Sequence, residues 1–482
     1  MTLKHSIWEP VIGLEIHVQL NTKSKLFSRA PNRFGDEPNI NIGVVCTGQP
    51  GSLPVLNKEA VRKAVQFGCA IDAEIARVSK FDRKSYFYPD SPRNFQITQY
   101  DQPIIRGGRV ETLVEGEMKS FAIHHAHLED DTGMLKHFTS FAGVDYNRAG
   151  VPLVEVVSEP CMHSAKEAAA YAMAIKSIME YIGASDCNME EGSLRVDCNI
   201  SVRKRGEGTL RNKIEIKNMN SFHNMEMAIE SEIARQIAIY EKDDSVQLTK
   251  GTYRFDLEKK ETVLMRMKEE ADDYRYFPEP DLVPLVLTHE YIEHIRNTLP
   301  ELPTQRLKRY VEELGLSDYA AGLLINDKPL CDYFEEGLNF CKNARNLCNW
   351  ITVEFVGRLK EKGLTPMSAG IPARHVAKLV ELIEQGTITG KIAKLVADDM
   401  VADVERDPLQ IVQANPDYQP VSDLSAIEAL VDEVLKENPQ SIADFKSGKT
   451  KAYAFLVGQV MKLCKGKADP ALVNKILTEK LQ

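Results

Sequence analysis

The first residues that could do chemistry are Glu15 and His17, two apart in GLEIHVQL. Ile16, Val18 and Leu20 alternate there with Glu15, His17 and Gln19, the period of a half-buried strand. The pattern recurs in LRVDCNISVR (194–203), where Leu194, Val196, Cys198, Ile200 and Val202 oppose Arg195, Asp197, Asn199, Ser201 and Arg203. After the turn RGEGTLRN, KIEIKN sets Glu215 between Lys213 and Lys217, and the spacing predicts a hairpin. HHAHLEDD (124–131) puts His125, His127, Glu129 and Asp131 on one parity. A polar strand face ordinarily meets water. Carboxylates are nevertheless depleted in strands. Glu15, Glu129, Asp197 and Glu215 gathered on one sheet face repel one another unless a divalent cation intervenes. Mg²⁺ takes a few carboxylate oxygens and keeps its other positions for water or phosphate. His17 suits Mn²⁺ or Zn²⁺ as well.

Cations interleave with these acids. Arg83, Lys84, Arg195, Lys213 and Lys217 would meet phosphate oxygens and the charge that develops in phosphoryl transfer. Arg83, Lys84 and Lys217, with Asp197, form the expected catalytic set. No GxxxxGK[ST] loop or kinase Gly-rich loop is present, so neither common phosphate cradle is available. FDRKSYFYPDSPRNFQITQYDQPI (81–104) crowds aromatic, basic and proline residues together. Such a loop offers ring faces to a base or ribose and cations to phosphate, and Arg83, Lys84 and Arg93 would make poor core residues. Gln19 carries no assignment.

The elements that must hold these side chains are short alternating segments as far as about residue 290. Helical patterns interrupt them at 59–71, 164–182 and 222–241. The mixture predicts an α+β domain around a mainly antiparallel sheet. FPEPDLVPL (277–285) closes it. Amphipathic helices follow, including PTQRLKRYVEELG and NARNLCNWITVEFVGRLKEKG, the latter ending in a Gly C-cap. DPLQIVQANPDYQPVS (407–422) separates a compact helical tail. The expected domains are 1–292, 293–406 and 407–482, since 482 residues exceed one core.

Composition is that of a soluble globular protein, 43% hydrophobic and 27% charged, with no apolar run long enough to span a membrane. MTLKHSIWEP lacks the apolar core of a secretory signal, and nine scattered cysteines without CxxC read as reduced thiols, so the expected compartment is the cytoplasm. The chain is acidic at −10, but residues 445–482 hold eight lysines against Asp469 and Glu479, a net of +6. That basic end suits phosphate as well as a solvated helix face.

IGLEIHVQL, FDRKSYFYPDSPRNFQI, HLEDDTG, DYNRAGVPLVEVVSEP, GSLRVDCNISVR, EIKNMNSF and MRMKEEADDYRYFPEPDL together resemble the B-subunit family of the tRNA-dependent glutamyl/aspartyl amidotransferases. GTITGKIAKLVADDM and YAFLVGQVMKLCKGKADPALVNKIL are similar to the YqeY-like end of that family, so the likeness spans essentially the whole chain. The resemblance implies ATP-dependent phosphorylation of the side-chain carboxylate of Glu on tRNA(Gln), or of Asp on tRNA(Asn). Ammonia then displaces phosphate. It also implies an amidase-type A subunit as ammonia source and a small C subunit in a heterotrimer. Its metal set falls on Glu15, His17, Glu129 and Glu215, around one ion, with Mg²⁺ expected. Tyr86, Tyr88, Asp90, Asn147, Arg148, Asp197 and Asn199 fall in motifs that line the family's cradle. Lys446, Lys449, Lys451, Lys462, Lys465 and Lys467 become candidate tRNA contacts.

One departure stands out. Many members hold zinc through Cys-x-Cys and Cys-x-x-Cys, whereas KLFSRAPNRFGDEPNINIGVVCTGQPG has Ser28, Ala30 and Gly43 at those positions and keeps only Cys46. One thiolate cannot build a tetrahedral site. No structural zinc is expected, and packing and hydrogen bonds must hold the loop. The competing reading is a non-catalytic tRNA-binding scaffold; the E subunit is set aside because its insertion before the tail is missing. The chain shows no amidase or glutaminase signature, so a partner must supply ammonia.

Overall fold

The computed structural model describes residues 7–267, 271–418, 424–446, 449–464, 468 and 470–481. Alternation becomes sheet where it was legible. The strands that matter for the site are β1 (Trp8–Gln19), β2 (Asp82–Ser85), β3 (Phe95–Thr98), β4 (Glu117–Asp130), β5 (Pro152–Ser158), β6 (Leu194–Lys204), β7 (Ile214–Met219), β8 (Gly251–Asp256) and β9 (Glu261–Met267). The large sheet runs β9-β8-β7-β6-β1-β5-β4 and continues into two short strands, Ile105–Arg106 and Glu74–Ile75. Its pairings are antiparallel except β7 with β8. That parallel step needs a crossover, supplied by α3 (Phe222–Lys242) after α1 (Lys58–Ala70) and α2 (Ala165–Tyr181).

One sheet face is dry. Leu14, Ile16 and Val18 of β1 and Leu194, Val196, Cys198, Ile200 and Val202 of β6 are essentially inaccessible. Helices α2 and α3 begin on N-caps, Ser164 accepting from Glu167 N and Ser221 from Asn224 N. They bury Ala168, Tyr171, Ile175 and Met179, and Met225, Ile229 and Ile233. Burying these side chains contributes about 1.5–3 kcal/mol for each large one, enough to fix which face looks away from water. Since a one-residue slip would invert every side chain, that dry face also fixes the polar one.

The hairpin expected at 194–217 forms, with Asn199 opposite Glu215 and a register shift between Val196 and Cys198. The loop lacking the zinc cysteines is tied by side chains. Lys25, 1% exposed, donates to Ala149 O at 2.6 Å, Ser28 Oγ lies 3.3 Å from Cys46 Sγ, and Asn32 donates to Leu20 O.

The chain divides into two compact units, 1–306 and 307–482. The second is helical: its helices include Lys328–Leu338, Ala373–Glu384 and Gly390–Ala402. The NARNLCNW segment is not one regular helix. It is Ala344–Asn349, then a π-helical Trp350–Phe355 and Val356–Leu359, ending at Gly363 with φ 65° as its Gly C-cap requires. The tail helices Leu424–Glu437, Thr450–Leu463 and Pro470–Leu481 bury Ile427, Val431, Leu456, Val460, Val473 and Leu477. The α+β sheet domain followed by helices matches the sequence expectation.

Candidate active site

Register across the wet face brings the acids together. His17 lies opposite Glu155, and Glu155 opposite His127, so three adjacent strands place them in one row. Glu15 lies opposite Asp197 on the other neighbour of β1. Two groups result. His17, Glu129 and Glu155 offer ligand atoms within 4.8 Å of one another, and so do Glu15, Asp197 and Glu215. The residues expected around one ion, Glu15, His17, Glu129 and Glu215, fall in both groups: Glu15 and Glu215 lie with Asp197, His17 and Glu129 with Glu155. The physical reason is the pleat. Glu15 and His17 are two apart on β1, and each faces acids of a different neighbouring strand.

In the first group His17 Nε2 and His127 Nε2 both stand 3.5 Å from Glu155 Oε2, and His127 lies 3.8 Å from Glu129. Burial opposes charge on His17, but the Glu155 carboxylate outweighs it and lifts the pKa to about 9. Burial works against the Glu155 carboxylate too, yet His127 and His17 hold it well below its ordinary range. His125, stacked on His127 at 5.3 Å, is pushed down to about 4 by burial and then by its imidazole neighbour. In the second group Asn199 donates to Glu15 Oε1 at 2.9 Å and Thr252 to Glu215 Oε2 at 3.0 Å. Lys217 Nζ sits 3.1 Å from Asp197 and 3.6 Å from Glu215.

Five carboxylates in these groups face two ammonium groups, Lys84 and Lys217. Lys84 Nζ is 3.9 Å from Glu129 Oε2, and that oxygen is buried without a hydrogen-bond partner. Burial disfavours both ammonium groups, but the neighbouring carboxylates raise both pKa values. An acid-rich set with an orphaned carboxylate oxygen and one imidazole fits a hard divalent cation.

Two cavities share this floor. One, ≈ 410 Å³, is walled by Tyr100, Tyr274 and Tyr276. Tyr100 and Tyr276 stack with centroids 4.1 Å apart. The other, ≈ 320 Å³, is walled by Tyr86, Asp90, Asp131, Arg148 and Arg195. His17, Lys84, Glu129, Lys217 and Tyr274 line both.

Several expected residues land elsewhere. Arg83, expected in the catalytic set, does not line either cavity. On β2 it points opposite to Lys84, pairs with Glu279 at 2.7 Å and 3.0 Å, and lies over Phe95. Asn147 holds the 36–41 loop, accepting from Asn41 N and donating to Glu37 O, and does not line the cavities either. Tyr88 stacks on Tyr86 at the rim, 46% exposed. Asp90 accepts from Thr132 Oγ1, and Arg148 donates to Thr132 O and Gly133 O beside the second cavity. Asn199 orients Glu15. Gln19 and Arg195 both donate to Asp131 Oδ2 at 2.8 Å, which gives Gln19 a role. In the tail Lys446, Lys449, Lys451 and Lys462 are exposed; Lys465 and Lys467 lie outside the described residues.

Sequence reasoning missed Glu155 because Leu153 and Val157 share its parity. A strand apolar on both faces reads as buried, and its one acid raises no alternating signal.

Comparison with known proteins completes the description. Residues 10–293 match the family model described as "GatB/GatE catalytic domain", and residues 332–481 the one described as "GatB domain". Over 481 residues the chain is 68% identical to the B subunit of the aspartyl/glutamyl-tRNA(Asn/Gln) amidotransferase of Protochlamydia amoebophila, covering 99% of this chain and 97% of that one. Proteins of the same name from Chlamydia abortus and Chlamydia trachomatis serovar L2 are 59% and 58% identical. They cover 98% and 99% of this chain, with the same shares of their own.

Proposed function

Since the chain belongs to the GatB/GatE family of tRNA-dependent amidotransferases, we propose that its wet sheet face activates the side-chain carboxylate of a tRNA-borne Glu or Asp for amidation. The family converts Glu-tRNA(Gln) and Asp-tRNA(Asn) to the Gln and Asn forms and uses ATP. In the proposed sequence a carboxylate oxygen attacks the γ-phosphorus, the bond to ADP breaks, and an acyl phosphate forms. Ammonia then adds to the acyl carbon, the C–O bond to phosphate breaks with its electron pair going to the leaving phosphate, and the nitrogen loses one proton, to the phosphate or to solvent, to give the amide. The first step is needed because a carboxylate resists ammonia and has no leaving group.

The single observation that carries this reading is the wall shared by two cavities. Lys84 and Lys217 line both. The tyrosine-walled cavity takes the nucleotide, and the Arg148–Arg195 cavity takes the aminoacyl end. The two lysines then meet the phosphoryl group in transit, where negative charge is spread over its equatorial oxygens. His17, Glu129 and Glu155 would hold one divalent cation, and Glu15, Asp197 and Glu215 another. Mg²⁺ is the expected species; when bound it would neutralise the acids and phosphate oxygens. Asp131, tied by Arg195 and Gln19, keeps Arg195 oriented toward the aminoacyl cavity.

Partners complete the assembly. An amidase-type A subunit would supply ammonia and a small C subunit would make a cytoplasmic heterotrimer, since this chain has no glutaminase signature. The exposed tail lysines supply phosphate contacts to the tRNA body. The test is Glu15→Ala in the assembled complex, with ATP, Glu-tRNA and ammonium salt. Acyl-phosphate formation should vanish while tRNA affinity stays within about twofold. Retained activation would refute the site.

A further inference from the structure

The hairpin Met134–His137/Ala142–Asp145 rises from the wall of the aminoacyl cavity and has no part in the chemistry above. Its base is tied to that wall. Gly133 N donates to Asp90 O at 2.7 Å, Tyr146 OH to Pro89 O, and Arg148 to Gly133 O. A side chain at Gly133 would strike the Tyr146 ring at 2.8 Å, so the hairpin's origin leaves no slack. Its tip carries Phe138 and Phe141, stacked at 4.6 Å yet 53% and 62% exposed. In the segment that ends at Pro89 and Asp90, to which the hairpin's base is bonded, Phe87 is 66% exposed beneath the Arg275 guanidinium, next to Tyr88.

Exposed rings such as the stacked Phe138 and Phe141 are costly to leave in water. The charges interleaved with them identify the occupant. Between the two strands' bases the hairpin has Lys136 and His137, and its one carboxylate, Asp145, sits at the base, where it accepts from Asn39 N and Asn147 N. Thr139 and Ser140 separate the two Phe residues. Aromatic faces broken up by cations and hydroxyls suit unstacked nucleobases on a phosphate backbone. A protein partner would favour a continuous apolar core with charges pushed to the rim.

We propose that the hairpin tip and Phe87 form a stacking platform for the unpaired 3′ nucleotides of the substrate RNA, and this rests on the amidotransferase reading. The tip is five residues from Gly133, about 17 Å along an extended strand. It therefore reaches nucleotides inward of the one whose ester enters the cavity.

The experiment uses the assembled complex and two probes, Glu-tRNA and the same tRNA shortened by its unpaired 3′ end. F138A/F141A should weaken Glu-tRNA binding roughly fivefold to a hundredfold per base unstacked. The shortened tRNA should bind the wild type and the variant alike. F138W/F141W should restore affinity for Glu-tRNA. Equal losses for both RNAs would overturn the platform, as would failure of the alanine variant to assemble with its partner subunits, which would make the tip a protein interface. A wild-type complex that binds neither RNA would overturn the amidotransferase reading itself and this inference with it.

Discussion

Replacing Glu155 with Gln separates the two acid groups, because it removes one charge from the His17 group and none from the Glu15 group. The side chain keeps its size, so the perturbation is electrostatic. At a separation of 4.8 Å, the bound within which the group's ligand atoms lie of one another and a generous one for a ligand and its ion, a unit negative charge attracts a divalent cation by about 1.7 kcal/mol in bulk water. At an effective dielectric of 20 the figure is about 7 kcal/mol. Affinity for that cation should therefore fall at least roughly tenfold, since 1.4 kcal/mol is a factor of ten. Free Mn²⁺, counted by electron paramagnetic resonance during titration, reads this directly. The wild-type chain should bind two ions. E155Q should keep one at near-wild-type affinity, and Glu15→Gln should weaken the other while sparing the first. E155Q should lower the melting temperature of the metal-free protein, because His127 and His17 hold the Glu155 carboxylate well below its ordinary range and would lose that partner. A stoichiometry of one, abolished by either change, would refute the division and reinstate the single shell expected from sequence.

Arg83→Met should destabilise unit 1 by about 3 kcal/mol, because Glu279 is 3% exposed and would be left unpaired. Adding Glu279→Gln should restore most of the loss in chemical denaturation; an activity loss with unchanged stability would return Arg83 to catalysis. In unit 2, His375 is 4% exposed. Burial lowers its pKa; Asp407 works against that and Arg374 adds to it. Its neutral form is the folded one, so its contribution is present above the ordinary value near 6.5 and is lost as pH falls below it. Melting followed through Trp350 in a Trp8→Phe background should become acid-labile below about pH 6.5, and His375→Gln should flatten that dependence. Neutralising Lys446, Lys449, Lys451 and Lys462 should reduce the salt slope of tRNA binding by about one for each phosphate no longer neutralised, with no change in the rate of activation at saturation.

What the sequence disclosed follows from what alternation encodes. β1 and β6 each carry one apolar and one polar face, so their acids, and the hairpin of β6 with β7, were readable. Glu155 was not, because its strand is apolar on both sides of it. The placement of Arg83 was hidden for the converse reason. It lies beside Lys84 in an aromatic loop, yet neighbours on a strand point apart, and its partner Glu279 is nearly two hundred residues away. Asn147 likewise stands next to Arg148, but bonds the backbone of the 36–41 loop. Local pattern thus gave types and parity, while identity of partners needed tertiary placement.

The same distinction explains why the residues expected around one ion fall in two groups. Parity put Glu15, Glu129, Asp197 and Glu215 on one face without saying which neighbour each would meet. Antiparallel pairing assigns them: β1 meets Asp197 on β6 at Glu15, and Glu155 on β5 at His17. Two residues of β1 span about 7 Å, and on the proposed reading that gap separates two sites flanking a transferred group. Lys84 and Lys217 stand on opposite sides of that gap, each against a different acid group. A phosphoryl group between them would be held from both ends, and the acids that fix each lysine would keep it from folding back into solvent. On the proposed reading, charge in this site would be arranged around the reacting phosphorus, with the proposed nucleotide and aminoacyl cavities to either side of it.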